Sequence, residues 1–227
     1  MQMFIKDNNF MFHHEKNFLN SDVLAALNIK FYNIFSEKKY RSVDDHIIEL
    51  SKQQVNHEPL FQDACSRIIS IFKQKIQTDN LQLAKLWLVQ STEQNSKSLA
   101  LPYIPHFDKH RYFKAMVYLH DVTDNHGPIH LGYPKNFLDI EKRRNKLPMN
   151  YKELGLNTIS NQEIEGNMIS MSGHAGDVIF FDTNTPHKAG MLSEGYQRNV
   201  LRFDFDIKGL NDKPKFYERI LKRLLKN

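Results

Sequence analysis

The chain has 227 residues, 41% of them hydrophobic and 16 of them Phe, with a net charge of +5 and one cysteine, Cys65. That length suits a single domain spanning 1–227 with a substantial core. One cysteine excludes an internal disulfide and any multi-cysteine zinc site. With no long apolar run and no signal-peptide pattern, a cytoplasmic protein without a membrane span is expected.

Residues 1–78 read as helical support. Ser21 and Asp22 can cap a helix carrying Val23, Leu24, Leu27, Ile34 and Phe35, and Pro59 starts another with Phe61, Ala64, Ile68 and Phe72 on one face. Between them, Val43-Asp44-Asp45 reads as the start of a helix containing Ile47, Ile48 and Leu50. His13-His14-Glu15 has no strand pattern around it.

Residues 83–91 form the first strand pattern, apolar on both sides, and polar 93–100 reads as a loop that could act as a flap. If 103–108 is extended, His106 and Asp108 project to one side and Phe107 to the other. In 113–120, Lys114, Met116, Tyr118 and His120 alternate with Phe113, Ala115, Val117 and Leu119, and the first set should face a cavity. The β pattern lapses over 134–162, where a basic helix with Lys142, Arg143 and Arg144 interrupts the core and is expected to cover its mouth. Strand patterns return at 167–171, 178–182, 187–192 and 198–207, and an amphipathic helix is expected over 214–227.

Short strands with glycine turns after a helical start predict a mainly β chain with flanking helices (α+β). Its core, 83–207, should be a double-stranded β-helix of jelly-roll or cupin type. A funnel of this kind brings inward residues of different strands together. His106 and Asp108 supply two members of a facial triad for Fe(II), and His187 is the best third member. A lone His-x-Asp is a weak signal; the strand that follows, the turn 123–128, Gly176-Asp177 before an apolar run, and Arg198 after His187 strengthen it.

In HFD, YLHDVTDNHGPIHL, GDVIFFD and HKAGMLSEGYQR the chain resembles the phytanoyl-CoA dioxygenase-like branch of the Fe(II)/2-oxoglutarate oxygenases, over roughly residues 83–207. It departs from that pattern at 132–136, where a Pro-Gly-Ser-His segment is usual, and at Ala189, where a small hydroxyl residue is common. The resemblance implies 2-oxoglutarate and O₂ as cosubstrates, with succinate and CO₂ released as a small organic substrate is hydroxylated or otherwise oxidised. It also implies Arg198 as the anchor of the far carboxylate of 2-oxoglutarate, with Arg202 as competitor and Tyr118 and Gln90 as further contacts. Asp108 argues against halogenation. Three alternatives stand beside this reading: a prolyl-hydroxylase-like enzyme acting on a peptide, a non-oxidative cupin-type metalloenzyme, and a sugar-binding jelly roll.

The positive charge gathers at 38–41, 142–144 and 213–226. Such runs are commonly solvated helix faces, and alternatively a rim that concentrates an anionic substrate. No nucleic-acid motif accompanies them, so no specific nucleic-acid partner is expected.

Overall fold

A computed structural model describes residues 10–37, 40, 42–44, 46–93 and 101–208. The chain runs β1 (Phe12–Glu15), α1 (Ser21–Glu37), β2 (Ser42–Asp44), β3 (Ile47–Ser51), α2 (Lys52–Asn56), α3 (Pro59–Ile76), β4 (Leu81–Thr92), β5 (Phe113–Tyr118), β6 (Ile129–Pro134), α4 (Phe137–Lys146), β7 (Ile164–Ser170), β8 (Val178–Asp182), β9 (His187–Ala189) and β10 (Gln197–Ile207). The helix expected over 214–227 and most of the expected flap, 94–100, lie outside the described residues.

Strand alternation builds the layers. A seven-stranded sheet runs β1-β8-β5-β10-β4-β3-β2, and a three-stranded sheet runs β7-β6-β9. On one face of the large sheet, Phe113, Ala115 and Val117 of β5 and Leu201, Phe203 and Phe205 of β10 pack on Leu27, Phe31 and Ile34 of α1 and on the apolar stripe of α3. The opposite face contributes Met116, Tyr118, Ile179, Phe181 and Val200 to a second core shared with Ile129 and Leu131 of the small sheet. The two sheets face each other without closing into a barrel, and the cavity lies between them.

Three local expectations change. Residues 47–51 are strand β3, not helix: Ile48 and Leu50 are buried opposite Leu88 and Leu86 of β4, and β-branched isoleucines fit a pleated surface better than a helix. His13-His14-Glu15 belongs to edge strand β1, paired with β8 through His13↔Phe180 and His14↔Ile179. Within 103–108 only His106 joins a ladder, through isolated bridges to Thr158 and His187.

Glycine permits one close approach that matters to the site. A Cβ on Gly190 would lie 2.5 Å from the Pro128 carbonyl oxygen, and one on Gly127, at φ +60°, 2.4 Å from that of Gly190. The ends of β6 and β9 can therefore meet just beyond His187.

Phe72 of α3 joins the helical layer to the large sheet, edge-on to Phe113, Phe180 and Phe205 with centroids 5.9, 4.8 and 5.6 Å away. Phe72→Ala should lower the unfolding free energy by about 3–5 kcal/mol. Urea denaturation checks this, and a loss near zero would show that the layer does not depend on it.

Candidate active site

His106 precedes β5 and His187 opens β9, yet their backbones pair. His106 N–H donates to the His187 carbonyl and His187 N–H to the His106 carbonyl, both at 3.0 Å. Residues paired in this way present their side chains to the same side. Each Nδ1 lies 2.8 Å from a carbonyl oxygen, of Ile104 for His106 and of Thr185 for His187. A carbonyl only accepts, so Nδ1 carries the proton and each Nε2 is left with its lone pair. Those atoms stand 3.9 and 3.7 Å from Asp108 Oδ1. The three ligand atoms lie within 4.8 Å of one another, a spacing that one metal ion can span.

Asp108 is oriented from behind. Lys114 Nζ, reaching in from β5, donates to its Oδ2 at 2.6 Å, and Arg144 Nε donates to its backbone carbonyl at 3.1 Å. Phe107 packs away from the cavity, buried with Ile140, Ile159 and Ile164, while Asn157 Nδ2 donates to its carbonyl at 2.9 Å. Burial opposes ionisation of Asp108, but the Lys114 ammonium and the two imidazoles outweigh it and hold its carboxyl well below the usual range. Burial, and next the neighbouring His187, push the His106 imidazole down to about 3. Its free form is therefore neutral, as a metal ligand must be.

These groups line a cavity of about 620 Å³ that also receives Trp87, Val89 and Ser91 of β4 and Arg198, Val200, Arg202 and Asp204 of β10. The two arginines differ in partners. Arg202 is tied to Asp204, Nε to Oδ1 at 3.1 Å and Nη2 to Oδ2 at 3.3 Å. Arg198 is 4% exposed and meets only the Ser91 hydroxyl, at 3.5 Å; its Nε and Nη1 have no partner among the described residues. A buried guanidinium with two orphan donors and no carboxylate partner has the chemistry to bind an anion.

The other expected contacts fall differently. Tyr118 is fully buried and points inward from β5, but its hydroxyl donates to the Met171 carbonyl at 2.7 Å and it does not line the cavity. That proton is committed within the protein. Gln90 lines the cavity, although it pairs with Asn199 of β10, whose side chain points to α1 and donates to Tyr32. Two hydroxyls near Arg198 escaped the sequence reading: Ser91, its register partner on β4, and Tyr103, on the cavity wall within its electrostatic reach. They stand in the neighbourhood where Ala189 offers no hydroxyl.

The insertion divides between two roles. Tyr151, Lys152 and Asn157 line the cavity. Of the basic run on α4, Arg143 binds Glu163 at 2.5 Å, Lys142 binds Asp139 at 3.3 Å and Arg144 braces Asp108. None of the three lines the cavity: Arg143 and Arg144 are tied into the fold, and Lys142 sits in a solvent-exposed pair. Arg111, which the sequence reading passed over, joins the two ligand-bearing segments: Nη2 binds Asp182 at 2.6 Å and Nη1 binds Glu141 at 2.9 Å, all but the glutamate being buried.

Comparisons with known proteins agree on the family and the class of fold. The family model for phytanoyl-CoA dioxygenase (PhyH) matches residues 12–199. No curated protein sequence matches the chain. Among solved structures, the chain is similar to the non-heme alpha ketoglutarate dependent carbocyclase SnoK from nogalamycin biosynthesis, at 14% identity and TM-score 0.63, covering 98% of this chain and 90% of that one. It is also similar to HygX from Streptomyces hygroscopicus, solved with nickel and 2-oxoglutarate bound, at 13% identity and TM-score 0.59, covering 92% and 86%. A Pseudomonas putida prolyl-4-hydroxylase follows at 15% identity and TM-score 0.55, covering 90% and 97%. Identities this low show a shared fold, here the double-stranded β-helix expected from the sequence.

The suppressed His106 pKa has a consequence for stability without metal. The unfolded chain takes up this proton near 6.5, whereas the folded protein resists it until about 3. Protonation at acid pH therefore favours unfolding, and this contribution is complete above about 6.5 and lost as pH falls toward 3. Metal-free protein should lose stability through that window, less steeply in His106→Gln; His126 and His130, also lowered by burial, keep some slope. Urea titrations at a series of pH values check this, and an unchanged slope in the variant would contradict it.

Proposed function

The chain belongs to the phytanoyl-CoA dioxygenase family, and from that premise we propose that His106, Asp108 and His187 hold its iron, that Arg198 anchors 2-oxoglutarate, and that the substrate is a small organic molecule. The family makes it an Fe(II)- and 2-oxoglutarate-dependent oxygenase and displaces the readings as a non-oxidative metalloenzyme or a sugar-binding module. Iron with 2-oxoglutarate and O₂ supplies the oxidation of a substrate C–H bond, with succinate and CO₂ as coproducts.

The residues fit both groups. His106 and His187 offer Nε2 because their Nδ1 protons are held by carbonyls, and Asp108 offers Oδ1 because Lys114 occupies Oδ2. Lys114 thereby limits Asp108 to one ligating oxygen and offsets part of its charge, an outer partner of the kind that fixes ligand orientation. Arg198 can grip the far carboxylate with two parallel charge-assisted hydrogen bonds. The observation that carries this reading is its burial in the triad's cavity with Nε and Nη1 unpartnered. Arg202 already holds Asp204 and is the weaker anchor. A cavity of about 620 Å³ is in the range of small-molecule sites.

Two measurements test the assignment. His106→Ala and His187→Ala should each abolish stoichiometric iron binding under anaerobic dialysis, and full retention in both would remove the ligand set. Arg198→Ala should weaken 2-oxoglutarate binding to metal-loaded protein by on the order of 2–4 kcal/mol while metal affinity holds. Calorimetry with a redox-inert metal reads this directly, and a larger loss in Arg202→Ala would move the anchor there.

A further inference from the structure

We propose that Arg202 is a substrate anchor and that the substrate carries a carboxylate. The inference rests on the reading above, in which Arg198 takes 2-oxoglutarate and leaves Arg202 free for another ligand. Arg202 is fixed on two sides. Its guanidinium carbon lies over the Trp87 ring, 4.7 Å from the centroid. One edge, Nε with Nη2, is clamped by Asp204. Asp204 is itself immobilised by Trp87 Nε1, which donates to Oδ2 at 2.7 Å. Both carboxylate oxygens of Asp204 are thus engaged within the protein and are not offered to a ligand.

The remaining edge of the guanidinium, Nη1 with the second Nη2 proton, meets no acceptor among the described residues. The side chain is 26% exposed and lines the same cavity as the triad. A structural ion pair would need none of this access. A guanidinium held by a ring face and a rear carboxylate has lost its rotamer freedom before a ligand arrives, so binding costs less entropy. Two parallel N–H groups on a planar edge match the two oxygens of a carboxylate.

Charge on the cavity wall points the same way. Lys109, Lys114, Lys152, Lys188, Arg198 and Arg202 face Asp108 and Asp204 as the only carboxylates among the described lining residues. Fe(II) and the 2-oxoglutarate dianion cancel each other, so the excess of positive charge persists in the loaded enzyme and favours an anionic substrate. Trp87, Tyr112 and Tyr151 line the space between these cations and give an apolar body somewhere to pack.

Trp87 is the one tryptophan of the chain, so its emission reports this subsite alone. The test loads the protein with Zn(II) and saturating 2-oxoglutarate and titrates phenylacetate, with neutral phenylacetamide as the matched control. The expected result is a saturable change in Trp87 emission with phenylacetate, at least about tenfold weaker with the amide and at least about tenfold weaker in Arg202→Gln. Calorimetric 2-oxoglutarate affinity should be retained in Arg202→Gln, which shows the variant is folded and its cosubstrate site intact. Equal binding of acid and amide, no saturable response, or a response unaffected by Arg202→Gln would overturn the proposal. Failure of the wild-type protein to bind 2-oxoglutarate would instead overturn the Arg198 reading on which it stands.

Discussion

The site depends on one backbone pairing, the reciprocal hydrogen bonds between His106 and His187. These residues come from segments far apart in sequence, one leading into the large sheet and one in the small sheet. Pairing them puts both imidazoles on the same side, and the carbonyls of Ile104 and Thr185, each two residues back, then set both tautomers alike. Neither histidine needs a carboxylate to orient it. Asp108 is consequently free to face the two Nε2 atoms, with Lys114 turning its other oxygen away. The Arg111–Asp182 ion pair keeps the segment after Asp108 joined to the segment before His187, and Gly190 lets β9 close against the β6 turn.

Electrostatics sets the two cavity arginines on β10 apart. They lie four residues apart, which places both on the cavity face of the strand. Arg202 has a carboxylate from its own strand at i+2 and an indole beneath it. Arg198 has neither, and is nevertheless the more deeply buried. Burying a guanidinium without a counter-charge is costly, and the cost is offset only when an anion arrives. The difference in partners, rather than in position, is what supports giving the two arginines different ligands.

Much of this was legible in the sequence because it rests on period and order. The alternation of β10 separates Arg198, Val200, Arg202 and Asp204 from Leu201, Phe203 and Phe205 without reference to any structure, and the cavity and helix faces follow it. The Gly176-Asp177 turn and the run to Asp182 were equally plain. What failed was local ambiguity: Ile47, Ile48 and Leu50 fit a helix or a strand, and only pairing with Leu86 and Leu88 decides. His13 and His14 showed no strand pattern because an edge strand of four residues is too short to display one. For the basic run of α4, the alternative of an anion-gathering rim falls for a different reason. Lys142 has Asp139 three residues back on its own helix, but Arg143 and Arg144 are answered by Glu163 and backbone carbonyls, partners that folding supplies and sequence does not display. Tyr118 was placed correctly on the inward face, but the Met171 carbonyl that takes its proton comes from beyond β7. Lys114 was visible as an inward lysine, and only its distance to Asp108 gives it a role.

The most direct test is diffraction across the iron absorption edge from crystals grown anaerobically with Fe(II) and 2-oxoglutarate. The account predicts one anomalous peak bonded to His106 Nε2, Asp108 Oδ1 and His187 Nε2, with the far carboxylate of 2-oxoglutarate on Arg198 and Lys114 still on Asp108 Oδ2. Iron held by other residues, or the cosubstrate's far carboxylate on Arg202, would contradict it.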